Sequence, residues 1–538
     1  MDNAVWRVFL LWALVALPCF ALAQSIEVEI LRAEEVSRDP SIVEAQRLIG
    51  DVVLMVADAE VVCDSAWRFP AGRFRLMGQV KAVDGPAVLT GDVLELLPDR
   101  GIGRMTGRTV RLVDSTDPSE PRTLTTERTT YDFRSGVARF SEDGVVTTKS
   151  ERIESRSGWY DRDARAMEFD GGVVMTLDTV QVLSEKVRYW PDGRRLDLLS
   201  AAEVSHPGGG ILCSRGQWSM ESEAGWFIGG DTARARFIDG ALVVLADSLA
   251  MSDSVGFAYG RVALRDTATT YRLEADTVRF DRANEEAIGG SNVAMDGRAV
   301  AHLYEGGEPL RVSAPTMDIE DNVDGRFLRA HSGAALHFGE VTAAAQDLIW
   351  SEKAGRVDLD GSPVMWNGPD QLTGDSVRLF LEGGNPERLE VRRHAFVASP
   401  AGRGFYNQMA GRDLDGNFRD GRLENLVMVG NGRTLYFAEP DTAAERQASA
   451  DSLPAPLPQA NRAACTEIRM TLDTAGLSSI ALFASPAGQF SDLASLEDSP
   501  LDGASDAAHL PGFNARSRPD STVRGKRIPF AVSLPIVA

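Results

Sequence analysis

One eight-residue pattern returns along most of this chain, and its spacing narrows the possible folds more than any other feature. The pattern reads apolar, any, small, acidic or polar, any, apolar, any, apolar or aromatic. Its clearest copies are Leu273–Phe280 (LEADTVRF), Leu372–Leu379 (LTGDSVRL) and Val182–Tyr189 (VLSEKVRY). Others start at Val61, Leu89, Leu124, Ile153, Ile211, Val244, Val312, Ala343, Phe405 and Ala463. Successive starts from 61 to 405 are 28 to 39 residues apart, 29 being the commonest step, and the last interval of 58 is twice 29. Self-similarity at a fixed period marks a repeat architecture. The 538 residues therefore do not count out independent domains.

Within the octapeptide, apolar residues recur at every second position and helical spacing is absent, so the segment reads as a strand. Turn residues follow it, as in Asp281–Asn284, Pro191–Gly193 and Glu382–Pro386. A second strand then leads into a Gly-x-Val or Gly-x-x-Val signature, as in Gly78–Val80, Gly107–Val110 and Gly260–Val262. Each repeat is a strand pair that cannot bury its own apolar face. Positions 1 and 3 point one way and positions 6 and 8 the other, unless a β-bulge or corner near positions 4–5 brings all four to one side. The acidic residues Asp64, Asp92, Asp276 and Asp375 fall at that kink. The expected fold class is all-β, an elongated antiparallel roll of strand-pair repeats.

The N-terminus reads as a signal peptide over residues 1–23. Arg7 precedes the uncharged run Val8–Ala23, which ends in Ala21-Leu22-Ala23 before Gln24. That run is shorter than the roughly 20 residues that span a bilayer, although an uncleaved anchor is the alternative. Pro18 argues against lipidation at Cys19. Residues 24–45 form a polar lead-in, and the repeats occupy 46–438. Residues 439–461 are a Pro/Ala/Ser-rich loop, 462–490 a final strand pair, and 491–538 a C-terminal tail. An exported protein of the periplasm is expected.

A net charge of −22 excludes nucleic acid, which needs a basic surface. Cys63, Cys213 and Cys465 all occupy position 3 of the pattern, otherwise held by small or polar residues, and read as small inward-facing residues. None of the six histidines builds a metal motif, and no cofactor is expected. Asp413-Leu-Asp415-Gly-Asn417 with Glu424 is reminiscent of a calcium loop. Its glycine falls at position 4 instead of 6, so a hairpin turn is the better reading. No carboxylate pair stands out for glycoside hydrolysis. The chain is not expected to be an enzyme.

Several ordered segments carry a resemblance to a known family. They are Gly50–Leu54 with Val62–Ala66, Leu124–Asp132, Glu154–Asp161, and Asn407–Gly411 leading to Val429–Gly432 and Tyr436. Asn461–Cys465 and the tail segment Leu510–Phe513 with Arg518-Pro519 follow. This order resembles the OstA-like family of periplasmic lipopolysaccharide-transport (Lpt) bridge proteins, nearest to the long OstA-like proteins of the Bacteroidota and relatives. The resemblance implies a β-jelly-roll whose apolar trough carries acyl chains of lipopolysaccharide or lipooligosaccharide during outer-membrane assembly. It also implies head-to-tail partners among other Lpt jelly-rolls, the inner-membrane complex component and the outer-membrane translocon. The tail lacks a run of barrel strands, so the chain is not read as the translocon itself.

Under that reading Val187, Tyr189, Leu249, Met251, Val278, Phe280, Val377 and Leu379 line the trough and bind lipid. Two alternatives stand beside it. One is an exported β-repeat scaffold or adhesin with a closed core, in which positions 1, 3, 6 and 8 pack tightly. The other is a carbohydrate-active β-helix enzyme with clustered exposed carboxylates.

Overall fold

The computed structural model describes residues 25–38, 45–207, 209–252, 254–266, 271–281, 292–304, 309–322, 325–401, 405–438, 459–473 and 476–492. The signal segment, most of the Pro/Ala/Ser-rich loop and most of the tail lie outside them. Apart from two short 3-10 turns, Pro70–Gly72 and Asp192–Arg194, the described elements are β-strands, and the pairings given for them are antiparallel. The chain forms two compact units that divide between Ser222 and Glu223.

In the first unit the lead-in contributes strands Val28–Arg32 and Glu35–Arg38, which pair with the two halves of Gln46–Val56. Strands Ala59–Arg68, Phe74–Asp84, Ala87–Leu97, Ile102–Asp114 and Arg122–Asp132 then follow, each paired with the next. The pairing register breaks once near the middle of each of these ladders. Each long strand therefore belongs to two layers, one half on either side of a common fold line. Farther along, some strands are split outright. Val137–Phe140 and Ser157–Asp161 continue one layer, while Gly144–Thr147 and Glu151–Ser155 continue the other. Ala166–Leu177 and Val180–Trp190 cross the fold line again.

The second unit repeats this plan. Val255–Asp266, Tyr271–Asp281, Asn292–Leu303 and Leu310–Asn322 cross the fold line. Shorter strands from Gly325 to Glu382 then alternate between the layers. Asn385–Pro400, Tyr406–Arg419, Arg422–Ala438 and Gln459–Asp473 cross it once more.

Burial explains the octapeptide. In Leu273–Phe280 the residues at positions 1, 3, 6 and 8 (Leu273, Ala275, Val278 and Phe280) are all buried. Period-2 alternation slips by one residue at the fold line, so both halves present their apolar side to the space between the layers. The extra residues do not sit in the octapeptide, where the sequence placed the bulge. They sit in the strands that carry the glycine signature. Two residues, Gly78-Gln79, are inserted opposite the single Asp64 on one neighbour and Asp92 on the other. Gly50-Asp51, Gly171-Gly172, Gly260-Arg261 and Gly430-Asn431 are inserted in the same way, each a consecutive pair at positive φ.

The acidic position serves this bulge. Asp92 accepts a hydrogen bond from the Arg108 amide at 2.9 Å, and Glu185 accepts one from the Gly172 amide at 3.2 Å. Each carboxylate thus takes up an amide that the bulge withdraws from the ladder. At position 4 the Asp247 amide donates to Gly260 O at 2.9 Å and the Asp375 amide to Arg393 O at 3.0 Å, whereas Pro315 in strand Leu310–Asn322 has no amide to donate. The segment Asp413–Asn417 is also corrected. It lies within the continuous strand Tyr406–Arg419, and the hairpin turns at Asp420-Gly421.

Glycine at the bulge is required twice over. Gly78 has φ +81°, and a Cβ there would lie 2.2 Å from the Asp64 carboxylate. Gly85 also has positive φ, but a Cβ would meet nothing within 4 Å. Gly78→Ala is expected to destabilise the chain by about 2–3 kcal/mol, and Gly85→Ala by about 1 kcal/mol or less. Urea unfolding of the two variants checks this, and equal losses would remove the steric part of the account.

Candidate functional site

The space between the layers is the candidate site. Val187 and Tyr189 lie on strand Val180–Trp190 of the first unit. In the second unit Leu249 and Met251 lie on Ser248–Met251, Val278 and Phe280 on Tyr271–Asp281, and Val377 and Leu379 on Ser376–Glu382. Leu249 and Val278 flank Ala258 in one register row, so the structure brings those two strands together. Val377 and Leu379 sit farther along, in register with Leu359 and Val357.

All eight residues are 0–8% exposed. Protein covers them, and the covering groups come in part from the opposite layer. Phe280 meets Phe237 across the interior with ring centroids 5.7 Å apart. In the first unit a void lined by Leu112, Leu124, Val146 and Met167 among others holds only about 10 Å³, room for at most one water. Positions 1, 3, 6 and 8 are thus packed like an ordinary core in this state. The cysteines belong to the same lining. All three are buried, and burial pushes the Cys63 thiol up to about 11 and the Cys213 thiol up to about 12. Neither forms a nucleophilic thiolate near neutral pH.

The free rims of the two layers, opposite the fold line, are tied together in the first unit by three tyrosines. Tyr131, near the outer end of one layer, donates its hydroxyl to Asp84 at the outer end of the other, at 2.6 Å. Tyr160 donates to Asp114 and Tyr189 donates to Glu151 in the same sense. Arg162 donates to the Asp84 carboxylate at 3.1 Å and Arg122 to Glu151 at 3.0 Å. Burial is the main cause holding the three phenols well above the ordinary tyrosine range, and the adjacent carboxylates add to it. In the second unit the buried Arg326 guanidinium reaches from one rim over the Tyr271 ring of the other, 4.9 Å from its centroid.

These latches were missed in the sequence, although a signal existed. Tyr131, Tyr160 and Tyr189 all stand at position 8 of consecutive octapeptides, one 29-residue step apart. Their carboxylate partners lie 38 to 47 residues upstream on other strands, at no fixed offset. Tyr189 is therefore more than an apolar lining residue.

Tyr160→Phe leaves buried Asp114 short of one donor and is expected to cost about 1–3 kcal/mol. Amide exchange should quicken in strands Ile102–Asp114 and Ser157–Asp161 and stay unchanged in Gln459–Asp473. The raised phenols make stability full below about pH 10 and progressively lost above it, because unfolded tyrosine ionises there while the folded one resists. A triple Tyr→Phe variant should lack that alkaline loss in pH-dependent urea unfolding.

Residues 25–185 match the family model described as OstA-like protein. A solved structure, LptH of Pseudomonas aeruginosa, described as the LptA homologous periplasmic component of the conserved lipopolysaccharide transport device, is 12% identical. That match covers 26% of this chain and 79% of that one, with a TM-score of 0.17. No curated protein matches. The likeness to OstA-like proteins therefore rests on the two-layered strand repeats of residues 25–185.

Proposed function

We propose that this chain is a periplasmic component of lipopolysaccharide transport. It holds the acyl chains of a lipid A-bearing glycolipid between its two layers and passes them toward the outer membrane without covalent chemistry. The observation that carries this reading is the apolar inner face that the repeats present within each unit. Val187 belongs to that face in the first unit, and Val278, Phe280, Val377 and Leu379 belong to it in the second. Each acyl CH₂ buried there is worth about 0.8 kcal/mol. Head-to-tail pairing with other jelly-rolls would use the strand edges at the ends of the array.

A second reading, a closed β-repeat scaffold, is favoured by the tight packing of the eight lining residues. The two differ in whether the layers part to admit lipid. A photo-crosslinking aromatic residue placed at Phe280 or Tyr189, in chain purified from its host's periplasm, separates them. The transport reading expects a covalent glycolipid adduct at both positions and none at Trp226, which is on the outer face and 38% exposed. Adduct-free protein that also refuses added glycolipid in native mass spectrometry would favour the scaffold.

A further inference from the structure

The fold line of the second unit carries a groove of about 700 Å³ that the lipid-trough reading does not use. Val364, Thr373, Phe396, Ala410 and Arg433 form one register row across five strands along its floor. Their strand neighbours Met365, Leu372, Val397 and Met409 are buried and point to the opposite side, between the layers. The groove therefore lies on the outer face of the sheet. Its wall is the fold line itself, with Arg393, His394 and Arg412.

Two features mark this stretch. The first is charge. In a chain of net charge −22, three guanidinium groups and a histidine converge here. The carboxylates that meet them are Asp375, which contacts His394 Nδ1 at 2.9 Å and Arg393 Nε at 3.4 Å, and Asp413, which contacts Arg412 Nε at 2.8 Å. Asp413 also accepts the Arg393 amide at 3.1 Å. The second is backbone strain. At five equivalent bulges the first inserted residue is glycine, namely Gly50, Gly78, Gly171, Gly260 and Gly430, with φ from +72° to +85°. Here that slot is filled by Arg393 at φ +58°, followed by His394 at +51°, as Ser332 at +66° fills it in the bulge Ser332-Gly333 opposite Gln346. Glycine takes this conformation without penalty and a side-chain residue does not. Strain kept where glycine would relieve it points to a use for the side chain. Arg393 is 72% exposed at its side chain, so that use is not core packing.

We propose that this groove is a binding site for a phosphate-bearing lipid headgroup, gripped by Arg393, Arg412 and Arg433 on the outer face. Planar guanidinium forks match phosphate oxygens. Val364 and Phe396 are only 2% and 6% exposed, so the half-buried Ala410 supplies the open apolar edge beside the guanidinium groups that favours an amphiphile over free phosphate. The site is independent of whether lipid also enters between the layers.

Titration calorimetry on the full chain tests this with dihexanoyl phosphatidylglycerol, dihexanoyl phosphatidylcholine and inorganic phosphate as probes. Binding of the phosphatidylglycerol is expected, with the other two at least about tenfold weaker. Arg393→Gly and Arg433→Gln should each weaken the phosphatidylglycerol by about tenfold. Arg393→Gly should also raise Tm by about 1–3 °C as the strain is released, while Arg433→Gln leaves Tm unchanged. Binding that both variants retain in full places the lipid elsewhere and overturns the site. Equal binding of inorganic phosphate overturns the lipid assignment, and an unchanged Tm in Arg393→Gly overturns the strain premise.

Discussion

The hydrogen bond between a bulge amide and a carboxylate on the neighbouring strand is the interaction on which the rest of the structure depends. A flat sheet of these strands would expose its apolar side along its whole length. An inserted pair such as Gly78-Gln79 turns the ladder over, and at Asp92, Glu185 and Asp413 a carboxylate accepts an amide that the turn would otherwise leave unsatisfied. Asp92 with Arg108 and Glu185 with Gly172 show the bond directly. Because the inserted pairs recur from strand to strand, the folds within a unit fall on one line and two layers face each other. The same recurrence explains why the glycine and the acid are both in the repeat. The carboxylate of Asp64 fills the space a Cβ at Gly78 would need, so Gly78 cannot gain a side chain while Asp64 stays.

Folding the sheet creates two margins of unlike chemistry. At the fold line the layers are joined by the chain itself, crossing after crossing. At the rim they are joined only by side chains, and in the first unit these are polar: Tyr131 to Asp84, Tyr160 to Asp114 and Tyr189 to Glu151. A charge-assisted bond of this kind is worth about 1.5–3 kcal/mol. The rim is therefore a seam of discrete, breakable contacts, whereas the fold line is continuous and can act only as a hinge.

Much of this was legible in the sequence, and what was not has a physical reason. The repeat period, the strand pairs and the common burial of positions 1, 3, 6 and 8 follow from local alternation, which a single sequence displays. The host of the bulge was misplaced because the phase slip is written in the octapeptide while the inserted residues lie in its neighbour. Only the pairing shows that Asp64 stands opposite Gly78-Gln79. The lining residues were legible as apolar positions, but their state of packing was not. Alternation says which way Phe280 points and not that Phe237 fills the space above it. The rim latches needed both the fold line and the register, because Tyr160 and Asp114 are 46 residues apart in sequence.

A packed interior and a role in carrying lipid are compatible on energetic grounds. Were an acyl chain to enter between the layers, side chains such as Val278 and Phe280 would exchange contact with protein for contact with hydrocarbon, and neither partner would meet water. Their own burial is nearly conserved, while the acyl chain leaves water and gains about 0.8 kcal/mol for each CH₂. The cost falls on the contacts that must break for the layers to separate. Those at the rim are few and polar, and water can satisfy them once the seam opens. The balance is therefore set at the seam and not in the core. A chain built this way stays dry and closed without lipid, because the apolar faces then have only each other.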